Sequence, residues 1–219
     1  MTLEARKIRL IMELRRSGIT DTGVLAAIER IPREAFVPEP FQDQSYENRT
    51  LPIGQGQTLS QPGVVALMTQ SVMPDKGQKI LEVGTGSGYQ ASVLSRLFRR
   101  VYTIERYREL LRSAEERFEA LRISNITAKV GDGYAGWPEQ APFQRIIVTA
   151  AAADIPGGLV DQLGEGGIMV IPLARPGKEQ EVVRLTRGPQ GFEEEHLTTV
   201  RFVPMVHGLP KSAVKATNG

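Results

Sequence analysis

The chain has 219 residues, 41% of them hydrophobic, with 27 Lys and Arg against 25 Asp and Glu and no cysteine. That length suits one domain with a sizeable core, and the lack of cysteine excludes disulfides, thiolate metal sites and a cysteine nucleophile. A formal net charge of +2 excludes strong sequence-independent attraction to phosphate backbones. In chain order, residues 3–16 place Leu3, Ile8, Ile11, Met12 and Leu14 at helical spacing, which predicts an amphipathic helix ended by Gly18. A second helix begins at Asp21 and runs through Val24, Leu25 and Ile28 to Pro32, with the carboxylate as its cap. Together with the Pro-rich FVPEPF this makes a helical N-terminal cap over residues 1–50. The run from Thr50 to Pro74 carries no charged residue, in a chain that is 24% charged. After Pro62, residues Val64, Val65, Leu67, Met68 and Val72 predict a buried helix with proline in its first turn.

From Lys79 the texture becomes alternating. KILEV, VYTIE, ITAKV, RIIVTA and GGIMVIPL read as strands, separated by the helical runs YQASVLSRLF, YRELLRSAEERFEAL and DIPGGLVDQL. Two later runs, EVVRLTR and HLTTVRFVPMV, alternate like antiparallel strands. The pattern predicts an α/β fold, a mostly parallel central sheet with helices on both faces. We expect one domain, with a core over 51–208 and a flexible tail over 209–219. Arg96, Arg99, Arg100, Arg106, Arg108 and Arg112 interleave with Glu105, Glu109, Glu115 and Glu116 and read as a solvated face. The N-terminus lacks the apolar core of a signal peptide, and the uncharged run is too broken by Gly, Pro and Gln to span a bilayer. A cytoplasmic protein without membrane or nucleic-acid partners is expected.

The most specific chemistry lies in ILEVGTGSGYQ. Gly84, Gly86 and Gly88 form a turn that lets a ligand approach the backbone, ahead of a helix start with unpaired N–H groups. A dinucleotide fingerprint would need a third glycine where Tyr89 stands, and a P-loop would need a lysine. The observed E-x-G-x-G-x-G matches the loop of Rossmann-like methyltransferases, whose S-adenosyl-L-methionine carries a cationic amino-acid end that suits Glu82. Glu105 ends the next strand, 17 residues after Gly88, where a carboxylate accepts from ribose hydroxyls. Asp132, in VGDGY, stands where it can meet the adenine amino group, and Asp-Gly is also an ordinary turn.

The acceptor is narrowed by what is missing. Cytosine C5 methylation needs a cysteine. Base amino-group methylation uses an Asn/Asp-Pro-Pro-aromatic motif, whereas the segment here reads VTAAAADIP. A metal-dependent transfer needs an acid cluster where only Asp154 stands, so no metal site is expected. His196 and His207 are the only histidines, both late in the chain, and no obvious general base is present. A carboxylate acceptor needs none, because it is already ionised at neutral pH, and methyl transfer to it depends on alignment.

Together IPREAFVPE, LPIGQGQTLSQP, ILEVGTGSGYQ, GDGYAGWPEQAPFQRIIVTAAA, GGIMVIPL and VRFVPMV resemble the protein-L-isoaspartate (D-aspartate) O-methyltransferase family, from about residue 20 to 207. The resemblance implies methyl transfer from S-adenosyl-L-methionine to the α-carboxylate of L-isoaspartyl residues in damaged proteins and peptides. The resulting ester collapses to succinimide. By motif, Ser60 is the catalytic serine, orienting the substrate carboxylate by a hydrogen bond; a helix cap two residues before Pro62 is the alternative role. Thr58 and Leu59 flank cofactor and substrate. Glu82, Gly84, Thr85, Gly86, Ser87 and Gly88 hold the methionine end, Glu105 the ribose, and Asp132 with Gly133 the adenine region. Val203, Pro204 and Met205 lie along the substrate peptide. Gly63 and Val65 stand where relatives carry bulkier or histidine residues, which bears on the groove more than on the reaction. A monomer is expected. A methyltransferase of small carboxylic acids or RNA, and a non-catalytic S-adenosylmethionine-binding module, stay open as alternatives.

Overall fold

The computed structural model describes residues 2–210; the tail expected to be flexible lies, from residue 211 on, outside them. Helix α1 (Leu3–Arg16) starts at Thr2, whose hydroxyl accepts from Ala5 N–H, and α2 (Thr22–Arg30) starts at Asp21, whose carboxylate accepts from Val24 N–H at 3.0 Å. The buried stripe of α1 differs from the expected one. Leu10 and Leu14 are buried, whereas Leu3, Ile8 and Met12 are about half exposed. Leu10 and Leu14 are four residues apart and share a face, and Ile8 and Met12 form a second stripe roughly opposite. Only the first meets α2.

The expected helical cap gives way after Arg30 to short 3-10 turns at Arg33–Phe36 and Glu39–Gln44. A hairpin then follows that the sequence reading does not contain: β1 (Leu51–Gly54) pairs antiparallel with β2 (Gln57–Leu59). Gln55 and Gly56 both take positive φ, +52° and +66°, the geometry that a two-residue turn of this hand requires. Helix α3 (Pro62–Ser71) begins with proline in its first turn, as expected, and buries Val64, Val65 and Met68.

The remaining elements follow the predicted alternation: β3 (Lys79–Val83), α4 (Tyr89–Leu94), β4 (Arg100–Glu105), α5 (Arg108–Ala120), β5 (Ile126–Val130), β6 (Phe143–Val148), α6 (Gly157–Gln162), β7 (Leu163–Leu173), β8 (Gln180–Gly188) and β9 (Gly191–Val200). They form one seven-stranded sheet in the order β5-β4-β3-β6-β7-β8-β9. The pairs from β5 to β7 are parallel, and β7-β8 and β8-β9 are antiparallel. This is the expected mostly parallel α/β sheet. Successive strand residues point to opposite faces. Ile80, Val101 and Ile147 join a cluster with α1 to α5, while Leu81, Val83, Ile146 and Val148 join another with Leu159 of α6.

The last strand departs from the expected one. It ends at Val200, and RFVPMV continues as an extended strap held by a parallel bridge between Ala151 and Pro204. Proline has no N–H to extend a ladder. The strap thereby leaves the sheet edge and crosses toward the carboxyl ends of the parallel strands.

Candidate active site

Strand order reverses at β3, whose neighbours are β4 and β6. Such a point opens a crevice at the carboxyl ends of the strands. Here it holds an open cleft, at the place where α/β sheets of this kind bind small molecules. Its floor is the loop after β3, one wall comes from the β1-β2 hairpin and α3, and the strap covers the opposite side.

Of the residues singled out from sequence, Thr58, Leu59, Ser60, Gly84, Thr85, Gly86, Ser87, Glu105, Gly133, Val203, Pro204 and Met205 all line this cleft. The loop geometry explains the glycines unequally. Gly84 takes φ +98°, and a Cβ there would sit 2.3 Å from the Thr149 hydroxyl, which donates to the Gly84 carbonyl at 2.7 Å. A Cβ on Gly133 would fall 2.5 Å from Val83 and 3.1 Å from Met205. Gly88 serves packing: it does not line the cleft, and its Cβ would strike Phe118 and Ala114 of α5.

The acids divide by role. Glu105 is buried at the cleft wall, one oxygen accepting from Gly86 N–H at 2.8 Å and the other from Tyr107 N–H at 3.0 Å. Each oxygen retains a lone pair for a ligand. Glu82 lies behind the loop and is fully buried. The Thr103 hydroxyl donates to one of its oxygens, Thr103 and Thr85 hydroxyls are 2.6 Å apart, and the second Glu82 oxygen has no hydrogen-bond partner. Burial pushes its pKa up to about 8; the Thr103 bond opposes the rise and the Glu105 charge adds to it. Asp132 is outside the cleft lining, with one oxygen accepting from Tyr134 N–H at 2.9 Å and the other from Gly208 N–H at 2.8 Å. It therefore ties the strap to the loop after β5.

The strap is held along its length. Gln180 accepts from Phe202 N–H at 2.6 Å, the Val203 carbonyl accepts from Ala151 N–H at 2.8 Å, and Met205 N–H donates to the Ala151 carbonyl at 2.7 Å. The His207 ring stacks on Tyr134 with centroids 3.7 Å apart. Val203, Pro204 and Met205 thus reach the cleft as backbone already fixed.

Ser60 follows β2 and precedes α3. Gln61 is the N-cap of α3 and no side-chain hydrogen bond caps that helix. The serine hydroxyl has no hydrogen-bond partner among the described residues, while its carbonyl accepts from Arg33 at 2.8 Å. The hydroxyl remains available to a ligand.

Sequence reasoning missed Thr149, Tyr89, Arg33 and Phe202. Thr149 had a readable signal, a hydroxyl directly after the apolar strand RIIV. Arg33 lies in IPREAFVPE, one of the stretches that carry the family resemblance, but its residue type alone reads as a surface charge. No helix among the described residues is long and apolar enough to cross a membrane.

Comparison with known proteins agrees with this geometry. Residues 5–209 match the family model described as protein-L-isoaspartate(D-aspartate) O-methyltransferase. A protein-L-isoaspartate O-methyltransferase of Rhodospirillum centenum is 59% identical over 99% of this chain and 98% of its own. One from Paramagnetospirillum magneticum is 58% identical over 95% and 98%. Among solved structures, a protein-L-isoaspartate O-methyltransferase superposes with a TM-score of 0.82 at 29% identity, covering 90% of this chain and 65% of its own. A Plasmodium falciparum protein of the same description, solved in complex with S-adenosyl-L-homocysteine, gives 0.78 at 25% identity over 90% and 97%. The chain belongs to the protein-L-isoaspartate(D-aspartate) O-methyltransferase family.

Proposed function

We propose that this enzyme repairs damaged proteins by transferring a methyl group from S-adenosyl-L-methionine to the free α-carboxylate of L-isoaspartyl residues, with Ser60 orienting that carboxylate. The observation that carries the reading is the unengaged Ser60 hydroxyl in a cleft shared with the glycine loop and Glu105.

The residues present fit the cofactor. A buried carboxylate at the end of β4 suits a ribose diol better than a phosphate. The missing Cβ atoms of Gly84 and Gly133 let their loops pack closely against Thr149 and against Val83 and Met205, which fixes the backbone that lines the cleft. Glu105 would hold the ribose, the loop from Gly84 to Ser87 the methionine end, and the backbone at Gly133 the adenine region. Glu82 is fully buried behind this loop and outside the cleft lining, so it supports the loop from behind through Thr103 and does not touch the methionine end. Asp132 contributes through the position of its loop and of the strap. When bound, the cofactor supplies an electrophilic methyl group on a sulfonium sulfur.

The protein needs no proton acceptor, because the acceptor oxygen arrives ionised. Its residues bind and align. The Ser60 hydroxyl donates to one carboxylate oxygen, leaving the other free. Val203, Pro204 and Met205 offer backbone along which the substrate peptide lies extended, and the strap excludes water from the reacting oxygen. Alignment of this kind accounts for a large part of the acceleration in such transfers. Action as a monomer is part of the proposal. The cysteine-free composition accords with a cytoplasmic location. The cap, core and strap serve one catalytic unit.

Incubation with methyl-labelled cofactor and two matched peptides, one with isoaspartate and one with aspartate, tests the function. Label should enter only the isoaspartyl peptide, in a base-labile ester. Equal labelling of both peptides, or of neither, would overturn the reading.

A further inference from the structure

A neutral loop that receives an anion raises the question of where the positive charge is. Arg33 is the largest fully buried side chain described. It stands in the 3-10 turn Arg33–Phe36, beneath the Ser60 segment. Its Nη2 donates to the Ser60 carbonyl at 2.8 Å, and its guanidinium carbon lies 4.8 Å from the centre of the Tyr89 ring. Tyr89 is itself a wall of the cleft.

Beyond that bond the guanidinium faces Tyr89, whose hydroxyl is neutral and itself lacks a partner of good geometry. The Arg33 Nε and Nη1 have no hydrogen-bond partner. Among the described residues no carboxylate lies within ion-pair distance of it. The adjacent Glu34 receives the Tyr46 hydroxyl instead. Burial lowers the Arg33 pKa, but a guanidinium stays protonated in proteins. A buried cation without a counter-ion is costly. A neutral side chain of similar size would fill the space without that cost, so packing alone does not account for the charge.

We propose that Arg33 is a positioning residue that fixes the Ser60 peptide and supplies, from behind the uncharged loop, the positive potential met by the acceptor carboxylate. This rests on the reading of Ser60 as the carboxylate site. The hydrogen bond joins Arg33 to Ser60's own backbone, so the charge stands one residue's width of protein behind the hydroxyl. An anion at the Ser60 hydroxyl therefore meets the charge through protein rather than through water, where its effect is much larger. A cation in direct contact with solvent would bind peptide acids indiscriminately. One held behind the backbone favours only a carboxylate that reaches Ser60.

The test uses the full chain. Wild-type enzyme is first assayed on an isoaspartyl peptide, which checks the underlying reading by itself. Inhibition by the same peptide with its isoaspartyl α-carboxylate converted to the primary amide should then be at least about tenfold weaker than the acid's KM predicts. Arg33→Gln keeps an amide donor for the Ser60 carbonyl and removes the charge; Arg33→Lys keeps the charge and loses the planar fork. Arg33→Gln should lower kcat/KM for the peptide about tenfold, mainly through KM, with S-adenosylhomocysteine affinity held within about twofold. Arg33→Lys should recover part of that loss. Equal inhibition by acid and amide peptides would overturn the proposal even if neither variant folds. So would an Arg33→Gln enzyme with unchanged peptide KM, a loss equally large in cofactor affinity, or a lysine variant no better than glutamine.

Discussion

Replacing Glu82 with Gln isolates the cost of holding an acid behind the glycine loop. The side chain is fully buried, its pKa is raised from 4.5 to about 8, and the dominant cause is loss of solvation. Below pH 4.5 both folded and unfolded states carry the proton, so the group contributes nothing to pH dependence. Between pH 4.5 and about 8 the unfolded chain releases the proton while the folded one keeps it. The folded state then binds more protons, and stability falls as pH rises. Above pH 8 both forms are ionised and the penalty levels off. At about 1.4 kcal/mol per unit, the penalty grows by about 3 kcal/mol between pH 5.5 and 8.5. Gln has the same shape and no such titration, and its unpaired amide hydrogens add only an offset independent of pH. Urea unfolding of both proteins at pH 5.5, 7.0 and 8.5 should therefore show Glu82→Gln gaining about 3 kcal/mol relative to wild type across that range, or ~6–12 °C in thermal midpoint. A stability difference that stays flat with pH would refute the reasoning, and would mean that Glu82 is already ionised in the fold and meets a positive group.

Two further substitutions probe the frame around the cleft. Gly84→Ala forces a side chain onto a residue at φ +98° and to 2.3 Å from the Thr149 hydroxyl; a loss of about 3 kcal/mol is expected. Adding Thr149→Ala should recover the steric part and leave the backbone part, so a double variant no more stable than the single would contradict the assignment. Asp132→Ala removes the acceptor for both Gly208 and Tyr134 N–H groups. It should cost about 1–2 kcal/mol and speed amide hydrogen exchange at Gly208; unchanged exchange there would show that Asp132 does not hold the strap.

The sheet and the glycine loop were legible because they rest on local signals. Strand and helix periods alternate plainly from Lys79 onward, and Gly84 with Glu105 falls at successive strand ends where the topology brings them together. The hairpin was not legible, because its turn puts Gln55, rather than Asn or Gly, at a positive φ. In α1 the apolar residues fall on two opposed stripes, and only tertiary contact with α2 decides that Leu10 is inside and Ile8 outside. The break of the last strand before Pro204 depends on Ala151, more than fifty positions earlier, offering a bridge. Arg33 is the extreme case. Its burial against Tyr89 and Ser60 is a property of packing between distant segments; the resemblance marks IPREAFVPE as a motif, but the local pattern of charges and prolines does not say that this arginine is inside.

The account turns on Ser60 as an orienter of a carboxylate that is already ionised. Steady-state methylation of an isoaspartyl peptide by Ser60→Ala, paired with calorimetric titration of S-adenosylhomocysteine, tests that directly. Removing one donor that aligns the reacting oxygen should lower kcat/KM for the peptide by about 10–100-fold. The affinity for S-adenosylhomocysteine should stay within about twofold, since the loop from Gly84 to Ser87 and Glu105 are untouched. Full activity in Ser60→Ala, or a loss that appears in cofactor affinity instead, would contradict the account.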